Sequence, residues 1–234
     1  MLTSVTTPPR RTSTGALSGV LYVLFFVASL VMGGVTAPSG PIATPYSSDQ
    51  VARTFLSADP SALHRSLQLT GLLQMLSALA LLAFVPVLAD FVSRHGSSAR
   101  AGLVRTAGVA SGVLLVVSSA GGWILSMVNS LGDLAVSRTL MDLTFITGAA
   151  PAIGTLGLVL WQVSRTALAA RALPAWIGWA GSVLAVASVL SLLSLVAEPA
   201  TLLIPVGRYL GFVWFLAVSL LLWRRGGTDG TVSR

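Results

Sequence analysis

The chain has 234 residues, of which 54% are hydrophobic and only 9% charged, and its mean hydropathy is +0.86. A soluble domain carries roughly 25% charged residues, because a globule of this size must cover its surface with polar groups. The composition therefore excludes a soluble globule, a disordered chain and a collagen, and the formal net charge of +7 is a matter of where arginines sit along a membrane protein, not a nucleic-acid footprint.

A spanning helix needs about 20 mostly apolar residues, and six stretches qualify. The predicted fold is all-α: a polytopic membrane helix bundle of six transmembrane helices over residues 16–224, between cytoplasmic tails at 1–15 and 225–234. The first span is expected over 16–35. It is long for a cleaved signal sequence, and Pro38 follows the one plausible site, Val35-Thr36-Ala37, so the span is expected to be retained. Residues 37–59 form the longest connection. Pro38, Pro41 and Pro45 favour extended backbone there. Ser47 and Gln50 then have capping-box spacing and predict a short helix from Asp49 to about Leu56. Val51, Phe55 and Leu56 share one face, so this outer amphipathic helix is expected to lie along the membrane surface. Asp59-Pro60 has the composition of a helix start, and the second span, 67–92, follows inside that longer helix.

The third span is expected over 104–128. Gly108, Gly112, Ser119, Gly122 and Ser126 fall within about 80° of one another at 100° per residue, with Leu115 the one large side chain on the stripe. Small residues let a neighbouring backbone approach closely, which predicts a central position for this helix. Gly15 and Gly19 have the same close-packing spacing. The fourth span, 140–162, contains the segment GAAPAIG. The fifth and sixth are expected over 175–197 and 202–223. Pro86, Pro151 and Pro205 each remove a backbone donor and are expected to kink their helices, Pro151 as a static kink or as a hinge.

Arginine placement sets the orientation. With the N-terminus inside, ten arginines face the cytoplasm (Arg10, Arg11, Arg94, Arg100, Arg105, Arg165, Arg171, Arg224, Arg225 and Arg234) and four face outward (Arg53, Arg65, Arg138 and Arg208). The positive-inside rule favours this arrangement, and Trp161, Trp176, Trp179 and Trp223 then form an inner aromatic belt.

Two absences narrow the chemistry. No cysteine is present, which removes thiolate nucleophiles and Cys-ligated metals. All 14 basic residues are arginine, which removes a phosphate-loop lysine and Schiff-base chemistry. The arginine-only, alanine- and glycine-rich usage is expected of a GC-rich bacterial gene. His64 and His95 flank the second helix, about 46 Å apart along it, so they cannot share a metal or a haem. His64 is read as a satisfied interfacial side chain. No cofactor is expected.

Ionisable and amide groups at membrane depth are the sharpest signal, because charges there are costly. Arg65, Gln68, Gln74, Arg138, Asp142 and Arg208 all fall on the outer side and form the candidate polar site. Arg208 is expected roughly 9 Å below the outer edge of the sixth span, paired across the bundle with Asp142. Arg138, one turn before Asp142, is the competing partner. Asp90 is expected to pair with Arg94 at the inner interface.

The segments GALSGVLYVLFFVASLV, SSDQVARTFLSADPSALHR and LPAWIGWAGSVLAV, in this order, resemble a bacterial family of six-span membrane proteins catalogued only as a domain of unknown function. The resemblance covers about residues 14–224 and implies a six-helix fold with no assigned activity. The expectation is an uncharacterised, non-catalytic multi-pass protein of the bacterial plasma membrane that binds a lipid or protein partner, a second copy included, or supports the envelope. A transporter or exporter subunit with an outward-facing polar solute site is the alternative.

Overall fold

A computed structural model describes residues 13–37, 43–128 and 133–228. The predicted tail arginines Arg10, Arg11 and Arg234, and Pro38 and Pro41 of the outer loop, lie outside these residues. The described elements are helical, and six stretches are long and apolar enough to cross a membrane: Leu17–Thr36, Pro60–His95, Ser98–Val128, Leu134–Ala169, Ala175–Leu195 and Glu198–Arg225.

The helices are α1 (Leu17–Thr36), α2 (Asp49–Ser57), α3 (Pro60–His95), α4 (Ser98–Val128), α5 (Leu134–Gly148), α6 (Ala150–Ala169), α7 (Ala175–Leu190), the single turn α8 (Leu203–Pro205) and α9 (Gly211–Thr228). Each spanning stretch packs on the next, and the sixth packs on both the fifth and the first, so the spans close into a ring in chain order. The interior is filled by Leu81, Phe84, Leu88, Leu160 and Phe215, each 1% exposed or less. Tyr22 stands edge-on to Phe212 and Phe215 inside this core.

The glycine pairs pack closely, as predicted. A Cβ at Gly19 would lie 2.5 Å from Ser219 Oγ, one at Gly108 2.4 Å from Val85 and one at Gly112 2.5 Å from Leu82. The small face of α4 therefore meets α3. The position of α4 differs from the expectation, however: its neighbours are α3, α5 and α6. It is a wall between the second and fourth spans rather than the hub, because a ring of six helices filled by side chains has no helix on its axis.

The fourth span is not one helix. It breaks at Ala149 (φ −99°, ψ −112°), with Pro151 in the first turn of α6. Proline has no N–H and its ring crowds the carbonyl four residues back, so the break falls just before it. Serines on α4 splint the two halves: Ser118 Oγ donates to Thr144 O (2.7 Å) and Ser111 Oγ to Ala152 O (2.8 Å). Gly148 permits this approach, since a Cβ there would sit 2.2 Å from Ser118 Oγ. Pro86, by contrast, lies inside an unbroken α3.

The fifth span ends in a 3-10 turn, Ser191–Leu195, and the sixth begins with another, Glu198–Leu202, before α8 and a π turn over Val206–Leu210. Arg208 thus sits on an irregular stretch that directly follows Pro205.

Candidate functional site

At the end of the bundle that arginine placement assigns to the outside, the outer end, the caps are local and legible. Asp59 caps α3, accepting from Ser61 N (3.0 Å) and Ala62 N (2.9 Å), as predicted. These bonds, that of Ala62 foremost, hold its carboxyl below the ordinary range. Asp133 caps α5 in the same way. The cap of α2 is Ser48, which accepts from Val51 N, and not Ser47. The Ser47 hydroxyl instead accepts from Thr44 N (3.0 Å), closing a turn that precedes the helix.

The apolar face of α2 packs on protein. Ala52 and Leu56 join Ala43, Leu63, Leu125 and Met141 in a second small core, with Val51 and Phe55 against it. The expected membrane-surface helix is thus a lid element on the ends of α3, α4 and α5, because Leu63, Leu125 and Met141 offer it a protein surface to cover.

Arg138 fastens this lid. Its Nε donates to Asp142 Oδ2 (3.1 Å), one helical turn away. Its Nη2 donates to the carbonyls of Thr44 (3.2 Å), Pro45 (3.0 Å) and Ser47 (3.0 Å). Tyr46 in the same turn donates its hydroxyl to Ser194 O at the end of the fifth span. The cross-bundle pair of Asp142 with Arg208 does not form. Asp142 is taken by Arg138, which reaches it without leaving its own helix face. Arg138 Nη1 and Asp142 Oδ1 are buried and have no hydrogen-bond partner among the described residues.

The remaining candidates do not converge. Arg65 is exposed, and Gln68 and Gln74 are half-buried. Arg65 and Gln74 are nine positions apart, which at about 100° per residue puts them on opposite faces of α3, so they cannot line one pocket. His64 Nδ1 is hydrogen-bonded with Ser126 O (2.8 Å), the satisfied interfacial role expected of it. At the inner end, Asp90 pairs with Arg105 of α4 (3.3 Å) rather than along its own helix with Arg94, since the short turn between α3 and α4 brings the two helices side by side.

Arg208 is deeper than its position in the sequence suggests. Its guanidinium carbon lies 4.9 Å from the centroid of the Phe26 ring, and Phe26 is the tenth residue of the twenty in α1. A twenty-residue helix is about 30 Å long, the thickness of the hydrocarbon core, so the cation stands near mid-membrane. Its Nη2 donates to Gly148 O, a carbonyl that the break at Ala149 leaves without its helical donor. Satisfying such a buried acceptor offsets roughly 1–3 kcal/mol. Arg208 lines a cavity of about 10 Å³, walled also by Tyr22, Phe26, Leu156, Gly207, Phe212 and Phe215 among others.

Sequence reasoning missed Ser111, Ser118 and Gly148. Serines seven positions apart share a helix face, which is a usable signal. The free carbonyl of Gly148 has no sequence signature of its own. Among the described residues no three histidine or acidic side chains gather where a metal could be held.

These features define a class: a multi-pass, all-α membrane protein whose six spans form a closed, side-chain-filled ring. Compared with protein-family models, curated proteins and solved structures, the chain finds no match.

Proposed function

We propose that this chain is a non-catalytic protein of a bacterial plasma membrane, with both ends cytoplasmic, that binds a lipid or a protein partner, a second copy included, or supports the envelope. Kinship with the six-span family of unknown function is part of the proposal, supported by the three segments quoted above. The observation that carries the reading is the closure of the outer polar group on itself. Arg138 is bound by a carboxylate and three loop carbonyls, and the cavity that reaches Arg208 has the volume of about one water.

One feature favours the solute-moving alternative. A broken span and a cation at mid-depth recur where transporters bind substrate. Reconstitution separates the two. Liposomes carrying the purified protein are expected to be no more permeable to glycerol or glycine than protein-free liposomes, by stopped-flow light scattering. Native mass spectrometry from mild detergent is expected to show retained phospholipid or a second copy. Protein-dependent permeation that Arg208→Gln abolishes would replace the binding reading with the transport one.

A further inference from the structure

The first turns of α3 stand beyond the hydrocarbon. The helix has 36 residues, about 54 Å at the usual rise, against a hydrocarbon core of about 30 Å. Arg94 and His95 occupy its inner end, so the excess is shared between the two ends. Arg65, the sixth residue of the helix, then falls in the headgroup layer at the outer end. Here a groove of about 440 Å³ lies between α3 and the end of α4, with Ser61, Leu63, His64, Arg65, Leu67 and Ser126 among its walls. Binding sites for small molecules run to roughly 300–1,000 Å³, so this groove, unlike the one-water cavity at Arg208, admits an organic ligand.

The polar groups at the groove are engaged, with one exception. His64 Nδ1 is hydrogen-bonded with Ser126 O (2.8 Å), which ties α3 to α4 at this level. The Ser61 hydroxyl donates to Asp59 Oδ1 (2.9 Å), which also accepts from Ser61 N and Ala62 N. Arg65 makes no hydrogen bond or ion-pair contact among the described residues. Its charge is the weakest of the causes that lower the Asp59 carboxyl. Two turns further along the same face of α3, Leu72 is 57% exposed, and Trp123 of α4 is 49% exposed. Gly71 brings the two helices together there, since a Cβ on it would lie 3.2 Å from Ser119 O and 3.8 Å from Trp123. A lipid-facing seam between α3 and α4 therefore runs down from the groove, flanked by Leu72 and Trp123.

We propose that this groove and the seam below it hold one anionic phospholipid of the outer leaflet, its phosphate on Arg65 and one acyl chain along Leu67, Leu72 and Trp123. The inference rests on the lipid-binding reading above and gives it a site and a ligand class. Depth and shape require an amphiphile, because the groove lies at headgroup level and opens onto a seam that faces lipid tails. The free guanidinium sets the headgroup chemistry, since its planar fork of donors matches phosphate oxygens through charge-assisted hydrogen bonds. A basic side chain near the membrane surface also favours a net negative headgroup over a zwitterionic one. A free phosphate would leave Leu63 and Leu67 uncovered.

The test uses the full chain in mild detergent, offered an equimolar mixture of phosphatidylglycerol, phosphatidylethanolamine and phosphatidylcholine. Native mass spectrometry is expected to show phosphatidylglycerol retained in excess over the other two. Phosphatidylglycerol carrying a diazirine in one acyl chain then reports the site, and its label should concentrate on Leu67, Leu72 and Trp123. Arg65→Gln should cut labelling there about fivefold. The position is exposed, so the fold should survive the change. Arg53→Gln removes another exposed outer arginine, on α2 and outside the groove, and should leave the labelling unchanged. Retained lipid without a headgroup preference, or labelling that Arg65→Gln and Arg53→Gln lower equally, overturns this site and leaves the lipid-binding reading standing. Absence of any retained lipid removes both. Competition by glycerol phosphate as effective as that by unlabelled phosphatidylglycerol overturns the lipid assignment in favour of a free phosphate.

Discussion

Arg138 and Arg208 are the same side chain at two depths, and their surroundings give them different work. Arg138 is near the outer end, its side chain 15% exposed, and holds one carboxylate and a turn of backbone. Its removal strands both. Arg138→Gln is therefore expected to destabilise by about 2–3 kcal/mol, and Asp142→Asn by about 1 kcal/mol, since Asp142 is 29% exposed and receives a single bond. Unfolding of the double variant should show a coupling term, because each partner's loss already breaks the shared bond. Asp142→Asn combined with Arg208→Gln should be additive. Coupling between Asp142 and Arg208 of the size expected for Arg138 would restore the cross-bundle pair that the structure lacks. Only half of this arrangement was legible in the sequence. Spacing of four residues announces an Arg138–Asp142 contact, whereas the three carbonyls of residues 44–47 come from ninety positions away and carry no side-chain signal.

Helices rather than single side chains decide how closely the spans approach. The small stripe of α4 was readable because helical periodicity brings Gly108 and Gly112 to one face, and Val85 and Leu82 of α3 fill that face. Gly112→Leu is expected to cost about 1–3 kcal/mol or more by overpacking. Val113→Leu, at a position 49% exposed to the surrounding lipid, should stay within about 0.5 kcal/mol. Equal losses in detergent unfolding would mean that the α3–α4 contact is not the tight one. The break in the fourth span was half-visible. GAAPAIG marks a weak point through Pro151, but the structure places the interruption at Ala149 and holds it with Ser111, Ser118 and Arg208 from two other spans. Those three bonds make it a splinted joint. The Arg208 bond satisfies the carbonyl that the break leaves open at Gly148, and the two serine bonds tie the flanking helices to α4, which is how membranes tolerate interrupted helices.

Across the whole molecule, the ring topology and the arginine distribution make a joint statement about orientation. Six crossings put both ends of the bundle on one side, and the proposal, which rests on the positive-inside rule, is that this side is the cytoplasm. The lack of native cysteine makes the test direct. A single cysteine at Ser48, on the lid, is expected to react with an impermeant thiol reagent added to intact cells. One at Ser98, the first residue of α4, should react only after permeabilisation. The reverse pattern would invert the whole protein. The lid also explains why the outer polar residues do not form one pocket. Its backbone takes up Arg138, Leu63 and Met141 face α2, and Arg65 is left at the surface.

Composition and periodicity by themselves determined the class, the number of spans and the close-packed helix faces, because burying about 20 apolar residues in lipid and matching small residues along a helix are local properties of the chain. The Asp59 cap and the bounds of α2 along the chain followed from the same local rules. The tertiary structure alone decided which charges meet. Asp142 had two arginines within plausible reach, and the nearer one on its own helix took it. Arg208 was left with a carbonyl freed by a break in another span and a ring from a third. Such partners depend on where three helices cross, and a crossing is set by the packing of whole faces, which no short stretch of sequence encodes.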